Sequence, residues 1–331
     1  MSRITRHGSH ASLAKKDFVV HLLRIENPLV RGTIAEFFSA FVFIFFVLST
    51  QASTLFSGRR GDMLLNAVNN GIAVSIAMFV SGGVTGAFLN PAVTLAWAVI
   101  GKLRWTCCIF YSIAQFVGAF AAAAVIYVLY YDALQSFDGG HRELFGSNGT
   151  AGLYGTYPAD HQTFLSSIIN ELVGSGILLI AVLSVSDRRN WRPDNGLFPL
   201  VNGLIIVALN LAFYGNGGVA MNPARDLSPR LFSYFSGWGE ETFSLWNYQW
   251  FWIPFAMPYA GAIIGALMYE VLIEFHWSPE LSHGNHNESG PPRPDEGALI
   301  QEESVTAIQP IHAFGSPVII KDQGTQIIKS F

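Results

Sequence analysis

Charge is scarce in this sequence. Asp, Glu, Lys and Arg make up 13% of its 331 residues, about half the roughly 25% usual in soluble domains. Cysteine is almost missing. Cys107 and Cys108 are the two present, and adjacent cysteines almost never bridge, which excludes a disulfide scaffold. There is no basic excess either: the formal net charge is −4, so no nucleic-acid partner is expected. His141 and His161 share a segment without partners at metal-ligand spacing. No nucleophile and base stand together. An enzyme is therefore the least favoured class, and no cofactor or metal is expected. What fills the chain instead is apolar surface. Hydrophobic residues are 51% and aromatics 14%, and the mean hydropathy is +0.36. That is too much for disorder over most of the length. The 32 glycines suit close helix packing in lipid.

A helix that crosses a bilayer needs ~20 mostly apolar residues. Six runs qualify, near 33–55, 66–85, 104–130, 165–185, 198–214 and 250–273. The second carries Asn66, Asn69 and Asn70 at its start; the fifth is short and carries Asn202 and Asn210. Polar residues at that depth face a cavity or a neighbouring helix. The first run is not a signal peptide, since over thirty residues precede it and no small-residue cleavage site follows. Two more apolar stretches are too short to span. One runs from Asn90 to Val99, the other from Asn222 to about Tyr234. Such lengths read as re-entrant segments. Both open with Asn-Pro-Ala, in which Asn caps and Pro fits the first helical turn.

Basic residues set the orientation. Arg3, Arg6, Lys15, Lys16, Arg24 and Arg31 precede the first span. Lys102 and Arg104 follow the first short stretch, and Arg188, Arg189 and Arg192 lie between spans four and five. Fewer stand on the other side. Both termini are thus expected in the cytoplasm, with residues 132–164 facing out. That loop carries the sequon Asn148-Gly149-Thr150, a candidate glycosylation site. Asn287-Glu288-Ser289 would be cytoplasmic and unused. Beyond residue 277, Pro291-Pro292-Arg293-Pro294 and Glu302-Glu303 mark a polar tail read as disordered. Ser2, Ser9, Ser12, Ser304 and Thr306 are phosphorylation candidates of low specificity. The expected organisation is an N-terminal tail 1–30, a membrane domain 31–276 and a disordered tail 277–331. The domain divides into repeats at about 31–131 and 165–276, joined by outer loop 132–164.

The repeat is visible in spacing. Glu36 in the first span precedes Asn90 by 54 residues, and Glu171 in the fourth precedes Asn222 by 51. Gln115-Phe116-Val117-Gly118-Ala119 in span three resembles Pro258-Tyr259-Ala260-Gly261-Ala262 in span six. Three spans per repeat is odd, so the halves are inverted, and inverted repeats place a site near the midplane where broken helices meet. Two short helices meeting head to head would aim two positive dipole ends at that point. Small residues in spans three and six fit tight helix contacts.

Paired Asn-Pro-Ala boxes in inverted three-span repeats resemble the aquaporin family over roughly residues 30–276. The resemblance implies an all-α membrane protein with six transmembrane helices and two half-spanning re-entrant helices, assembling as a homotetramer with a pore in each subunit. Pore residues would be Asn90, Pro91, Ala92, Asn222, Pro223 and Ala224, the two asparagines offering NH2 donors to a passing oxygen. Arg225 would line the outer filter and repel cations; the plainer alternative is an arginine that snorkels to the interface. Glu36 and Glu171 would accept hydrogen bonds from loop backbone; a proton relay is the rival, but neither helix carries a His or Lys to continue one.

Asp226, Arg230 and Pro254 resemble the glycerol-conducting branch, as does the loop with Gly149-Thr150-Ala151-Gly152 and Thr156-Tyr157-Pro158-Ala159. Water-selective members usually have a small residue in place of the aspartate. Phe255 departs from the aliphatic usual there. The filter also departs. Counting from the boxes places Asn70, Asn210 and Val219 beside Arg225, where the branch usually has an aromatic, a glycine and often a second aromatic. Without that wall the hole is expected to pass water and small neutral solutes with poor discrimination. The alternative for Asn70 and Asn210 is hydrogen bonding between helices away from the pore. Phe88 stands where the family usually has a His, which removes a pH-control group from the pore lining. No cysteine sits just before the second box; Cys107 and Cys108 are expected to pack as small hydrophobes.

The function implied is a passive channel for glycerol, water and other small neutral solutes such as urea, excluding protons and ions, in a lipid membrane, most simply the plasma membrane. A water-selective channel and a closed-pore structural or adhesion protein are the alternatives. An ion-coupled transporter would need acidic residues exposed to its substrate, and only Glu36 and Glu171 lie deep in the spans.

Overall fold

The computed structural model describes residues 24–277, with Val20 and Leu23. The calls on the two tails that concern residues 1–19 and 278–331, including the second sequon and the phosphorylation candidates, lie outside the described residues. Among the described residues every regular element is helical.

Six helices are long and apolar enough to cross a membrane. They are α1 (Pro28–Phe56), α2 (Met63–Thr85), α4 (Trp105–Leu129), α6 (Phe164–Ser186), α7 (Phe198–Phe213, which reaches spanning length with the 3₁₀ turn Tyr214–Asn216 that continues it) and α10 (Trp252–Leu272). The half-helices are α3 (Pro91–Val99) and α8 (Pro223–Ser233). Two starts fall earlier than hydropathy indicates, because caps set them. Asn27 Oδ1 accepts from Leu29 N at 2.9 Å with Pro28 in the first turn, so α1 begins five residues before its apolar run. Asp62 caps α2 in the same way through Leu65 N. The connection between α4 and α6, expected as a loop, contains a helix α5 (Tyr131–Asp138) and a 3₁₀ turn (Ala151–Leu153). A second helical segment, α9 (Glu241–Tyr248), kinks at Leu245–Asn247.

The packing repeats itself. In the first half α1 packs on α4 and on α2; in the second α6 packs on α10 and on α7. The halves then interlock, α2 against α7, with α8 lying on α4 and α3 on α10. Each half-helix therefore rests on the third span of the other repeat. Missing side chains allow the closest approaches. A Cβ on Gly118 of α4 would run into the carbonyl of Phe37 on α1, and one on Gly261 of α10 into that of Leu172 on α6. Phe37 follows Glu36 and Leu172 follows Glu171, so the two contacts occupy matching places. In lipid, where apolar surface gives helices no drive to associate, such backbone proximity supplies the packing. Phe38, Phe79, Ile113, Val128 and Leu204 point outward, as a lipid-facing surface requires.

Candidate functional site

Each Asn-Pro-Ala box starts its half-helix in the same way. Asn90 Oδ1 accepts from Ala92 N at 2.9 Å, and Asn222 Oδ1 accepts from Ala224 N at 3.0 Å and Arg225 N at 3.2 Å. With the oxygens occupied as caps, the NH2 groups turn across the centre. Asn90 Nδ2 donates to the carbonyl of Met221 at 2.7 Å, and Asn222 Nδ2 to that of Leu89 at 2.9 Å. The two N-termini thus meet, and their dipole ends add at one point. Each amide has two hydrogens and commits one here.

The carbonyls are presented by strained backbone. Leu89 (φ 58°) and Met221 (φ 53°), the residues just before the two asparagines, both lie in the left-handed region, at about 1–2 kcal/mol each for a side-chain-bearing residue. Buried carboxylates hold them there. Glu36 accepts from Phe88 N and Leu89 N at 3.0 Å each, from Gln115 Nε2 at 2.8 Å and from the Thr85 hydroxyl. Glu171 accepts from Ala220 N at 2.7 Å and Met221 N at 3.2 Å. Both glutamates are at most 3% exposed. The first carboxylate has four donors and the second two. Thr85 bears no mark in the sequence, and Gln115 enters its reading only through the repeat, although an amide inside an apolar span carries the usual signal of a polar group at membrane depth.

Arg225 follows the second box and is half-buried. With the Gln51 amide turned so that its oxygen faces the guanidinium, it accepts from Arg225 Nη2 at 2.8 Å, and its NH2 donates to the Leu153 carbonyl at 2.6 Å. The opposite orientation would set oxygen against carbonyl and nitrogen against guanidinium, so the network assigns the amide. Arg225 Nη1 has no hydrogen-bond partner among the described residues.

Asn70 and Asn210 are brought together. Asn70 Nδ2 donates to Asn210 Oδ1 at 2.9 Å, and Asn210 Nδ2 returns to the Ile206 carbonyl of its own helix at 2.8 Å. The pair ties α2 to α7, and both residues are half-buried. Val219 is buried, its methyls set against Gly174 of α6. Phe88 is half-buried, with its ring edge-on to Trp97 at 5.7 Å and tilted to Tyr111 at 6.2 Å. Pro254 is buried in the first turn of α10; Phe255 beside it meets Phe116 and Tyr259. Cys107 and Cys108 are free and buried.

Asp226 and Arg230 form a buried ion pair one turn apart on α8, with Nε to Oδ1 at 2.9 Å. Asp226 also takes the Thr156 N–H at 2.7 Å and the Thr156 hydroxyl. Arg230 donates to the Thr156 carbonyl at 2.6 Å and that of Thr242 at 2.8 Å. The ring of Tyr157 covers it at 4.6 Å; burial pushes the Tyr157 hydroxyl up to about 12, so it stays protonated. The pair pins the connection between α4 and α6 to the second half-helix. A second clip lies in the same connection, where Arg142 pairs with Asp138 at 2.6 Å, stacks over Trp238, and Trp238 Nε1 reaches Thr150 at 3.1 Å. Asn148 is exposed in the turn before it.

Six spans around two half-helices whose capped N-termini meet at a paired amide centre define a helical membrane channel. The comparisons with known proteins agree. The major intrinsic protein family model matches residues 24–269. Aquaporin-2 of Milnesium tardigradum is 48% identical over 257 residues, covering 77% of this chain and 79% of that one. Aquaporin-9 of Homo sapiens is 40% identical over 278 residues, covering 84% and 94%. The X-ray structure of the aquaglyceroporin from Plasmodium falciparum superposes with a TM-score of 0.67 at 30% identity, covering 75% of this chain and 98% of that one. The chain belongs to the major intrinsic protein family, whose members are channels and not enzymes.

Proposed function

We propose that this chain is a passive channel for glycerol, water and other small neutral solutes, urea among them, that excludes protons and ions. The reading rests above all on the crossed amides of Asn90 and Asn222. Each leaves one N–H for a passing oxygen, at a point where two half-helix dipoles present positive potential. A hydroxyl or water is stabilised there and a cation is repelled. A water held by donors from both sides cannot pass a proton along a wire. Pro91, Ala92, Pro223 and Ala224 set the two helix starts, Glu36 and Glu171 keep the loops in register, and Phe88 lines the inner approach.

Arg225, Asn70, Asn210 and Val219 form the outer filter in this reading. The glycerol assignment draws on the clip of Asp226 and Arg230 and on Pro254, and on likeness to a protein described as an aquaglyceroporin. One observation favours a narrower channel: the Asn70–Asn210 bond draws α2 and α7 together beside the filter, which favours water over glycerol. Assembly as a homotetramer, residence in the plasma membrane, cytoplasmic termini and glycosylation at Asn148 belong to the same reading.

Stopped-flow light scattering on proteoliposomes, with water and glycerol gradients run separately, tests it. Fast shrinkage followed by fast glycerol re-entry is expected. Fast water with glycerol at the rate of empty liposomes would establish the narrow reading. Neither rate above empty liposomes would leave a closed-pore protein.

A further inference from the structure

The guanidinium of Arg225 is long and flexible, yet its position would decide what a filter admits. Among the described residues its side chain makes one hydrogen bond, to Gln51, and Nη1 is left unpartnered. Asp226 is the adjacent carboxylate, but it is committed to Arg230 and Thr156. Glu171 is committed to the Ala220 and Met221 amides. Neither is available to hold Arg225.

Gln51 is suited to the task by its own anchoring. It lies near the outer end of α1, and its NH2 is fixed by the Leu153 carbonyl. Leu153 ends the 3₁₀ turn that starts at Ala151. That turn is held from behind: Thr150 receives Trp238 Nε1, and Arg60 donates to the Gly146 carbonyl at 2.9 Å and to the Gly149 carbonyl at 2.5 Å. The Gln51 oxygen is therefore a fixed acceptor rather than a mobile surface amide.

We propose that Gln51 is the positioning residue of the filter. Its oxygen holds Nη2 of Arg225, which leaves the buried Nη1 without a protein partner among the described residues and so as the donor free to take a solute oxygen, and its NH2 ties that geometry to the connection between α4 and α6. The inference rests on the reading of Arg225 as a filter residue. A hydrogen bond to a charged group biases a side-chain rotamer about tenfold or more. Without it the guanidinium samples the lumen and obstructs a three-carbon polyol more than a water.

The test compares wild type with Gln51→Met and Gln51→Glu in proteoliposomes of matched protein content. Methionine keeps the length and removes both hydrogen bonds. Glutamate keeps the acceptor and removes the donor to Leu153. Gln51→Met is expected to lower the ratio of glycerol to water permeability by ~3-fold or more, and Gln51→Glu to restore most of it. A cryo-electron-microscopy structure of Gln51→Met is expected to show Arg225 displaced. An unchanged ratio with Arg225 in place would overturn the proposal. So would equal losses in Met and Glu variants, which would make the Leu153 bond, and not the hold on Arg225, the important one. If wild type itself moves neither solute, the channel reading fails; the displaced Arg225 still reports on Gln51 independently.

Discussion

Replacing Arg230 by methionine should damage this protein more than almost any other single change on α8. The guanidinium is fully buried and its four hydrogen bonds end on Asp226, Thr156 and Thr242. Methionine fills similar volume but leaves Asp226 as a buried carboxylate without its cation. Two Thr156 donors remain to it, so compensation is partial. Breaking a buried pair from one side costs about 3–5 kcal/mol. For a domain of this size that is an apparent melting shift of roughly 6–20 °C. The assay is thermal unfolding in detergent of wild type, Arg230→Met, Asp226→Asn and the double variant, at one scan rate because such unfolding is commonly irreversible. Removing both charges relieves the stranded carboxylate, so the double variant should be more stable than Arg230→Met alone. A shift under about 3 °C for Arg230→Met, or a double variant whose loss equals the sum of the singles, would refute the argument that an orphaned charge dominates.

Three further outcomes are expected. Glu36→Gln should destabilise more than Glu171→Gln, because an amide NH2 placed among four donors confronts two of them, against one of two, at about 1–3 kcal/mol each; unfolding midpoints of the two variants decide it, and the reverse order would contradict the donor count. Asn70→Ala should raise the glycerol-to-water permeability ratio while costing about 0.6 kcal/mol of helix association, the average for a hydrogen bond between membrane helices; a lower ratio would mean that the pair helps glycerol through. Asp187, beyond the end of α6, is pushed up by burial but pulled further down by its hydrogen bonds from Arg189, so its carboxyl sits below the ordinary 3.8. Its contribution is complete above about pH 4 and is lost as pH falls through the depressed value. Wild type should therefore lose its stability advantage over Asp187→Asn below that pH, as read from melting temperature against pH.

The six spans and the two half-helices were legible because their signals are local. Runs of ~20 apolar residues and an Asn-Pro start depend on nothing far away in the chain. The exact starts of α1 and α2 were not, since one capping side chain outranks a hydropathy window: Asn27 and Asp62 extend each helix past its apolar edge. Glu36 and Glu171 could be found as charges at membrane depth, and their spacing to the boxes could be measured. That one has four donors and the other two was hidden, because Thr85 and Gln115 lie 49 and 79 residues from Glu36. The Asn70–Asn210 contact was left open for the same reason, with 140 residues between partners. Gln51 gave no signal at all. A glutamine near a helix end is ordinary, and only the fold brings Arg225 to it. Asp226 and Arg230 were read as marks of a branch; the structure shows the ion pair's mechanical task, which is to fasten the connection between α4 and α6 to the second half-helix.

The crossed bonds at the centre have a consequence for how such a molecule can come into being. Asn90 reaches a carbonyl next to Asn222, and Asn222 reaches one next to Asn90. The exchange is reciprocal, as at the interface of a two-fold dimer, where residue i meets j and j meets i. During synthesis the first loop must wait for some 130 residues before its amide and carbonyl find their mates. Neither repeat owns the middle of the molecule. A single repeat, inserted alone, would carry a donor and an acceptor that fit a second copy of itself in the opposite orientation, so the geometry of an antiparallel pair of separate chains is already written into one.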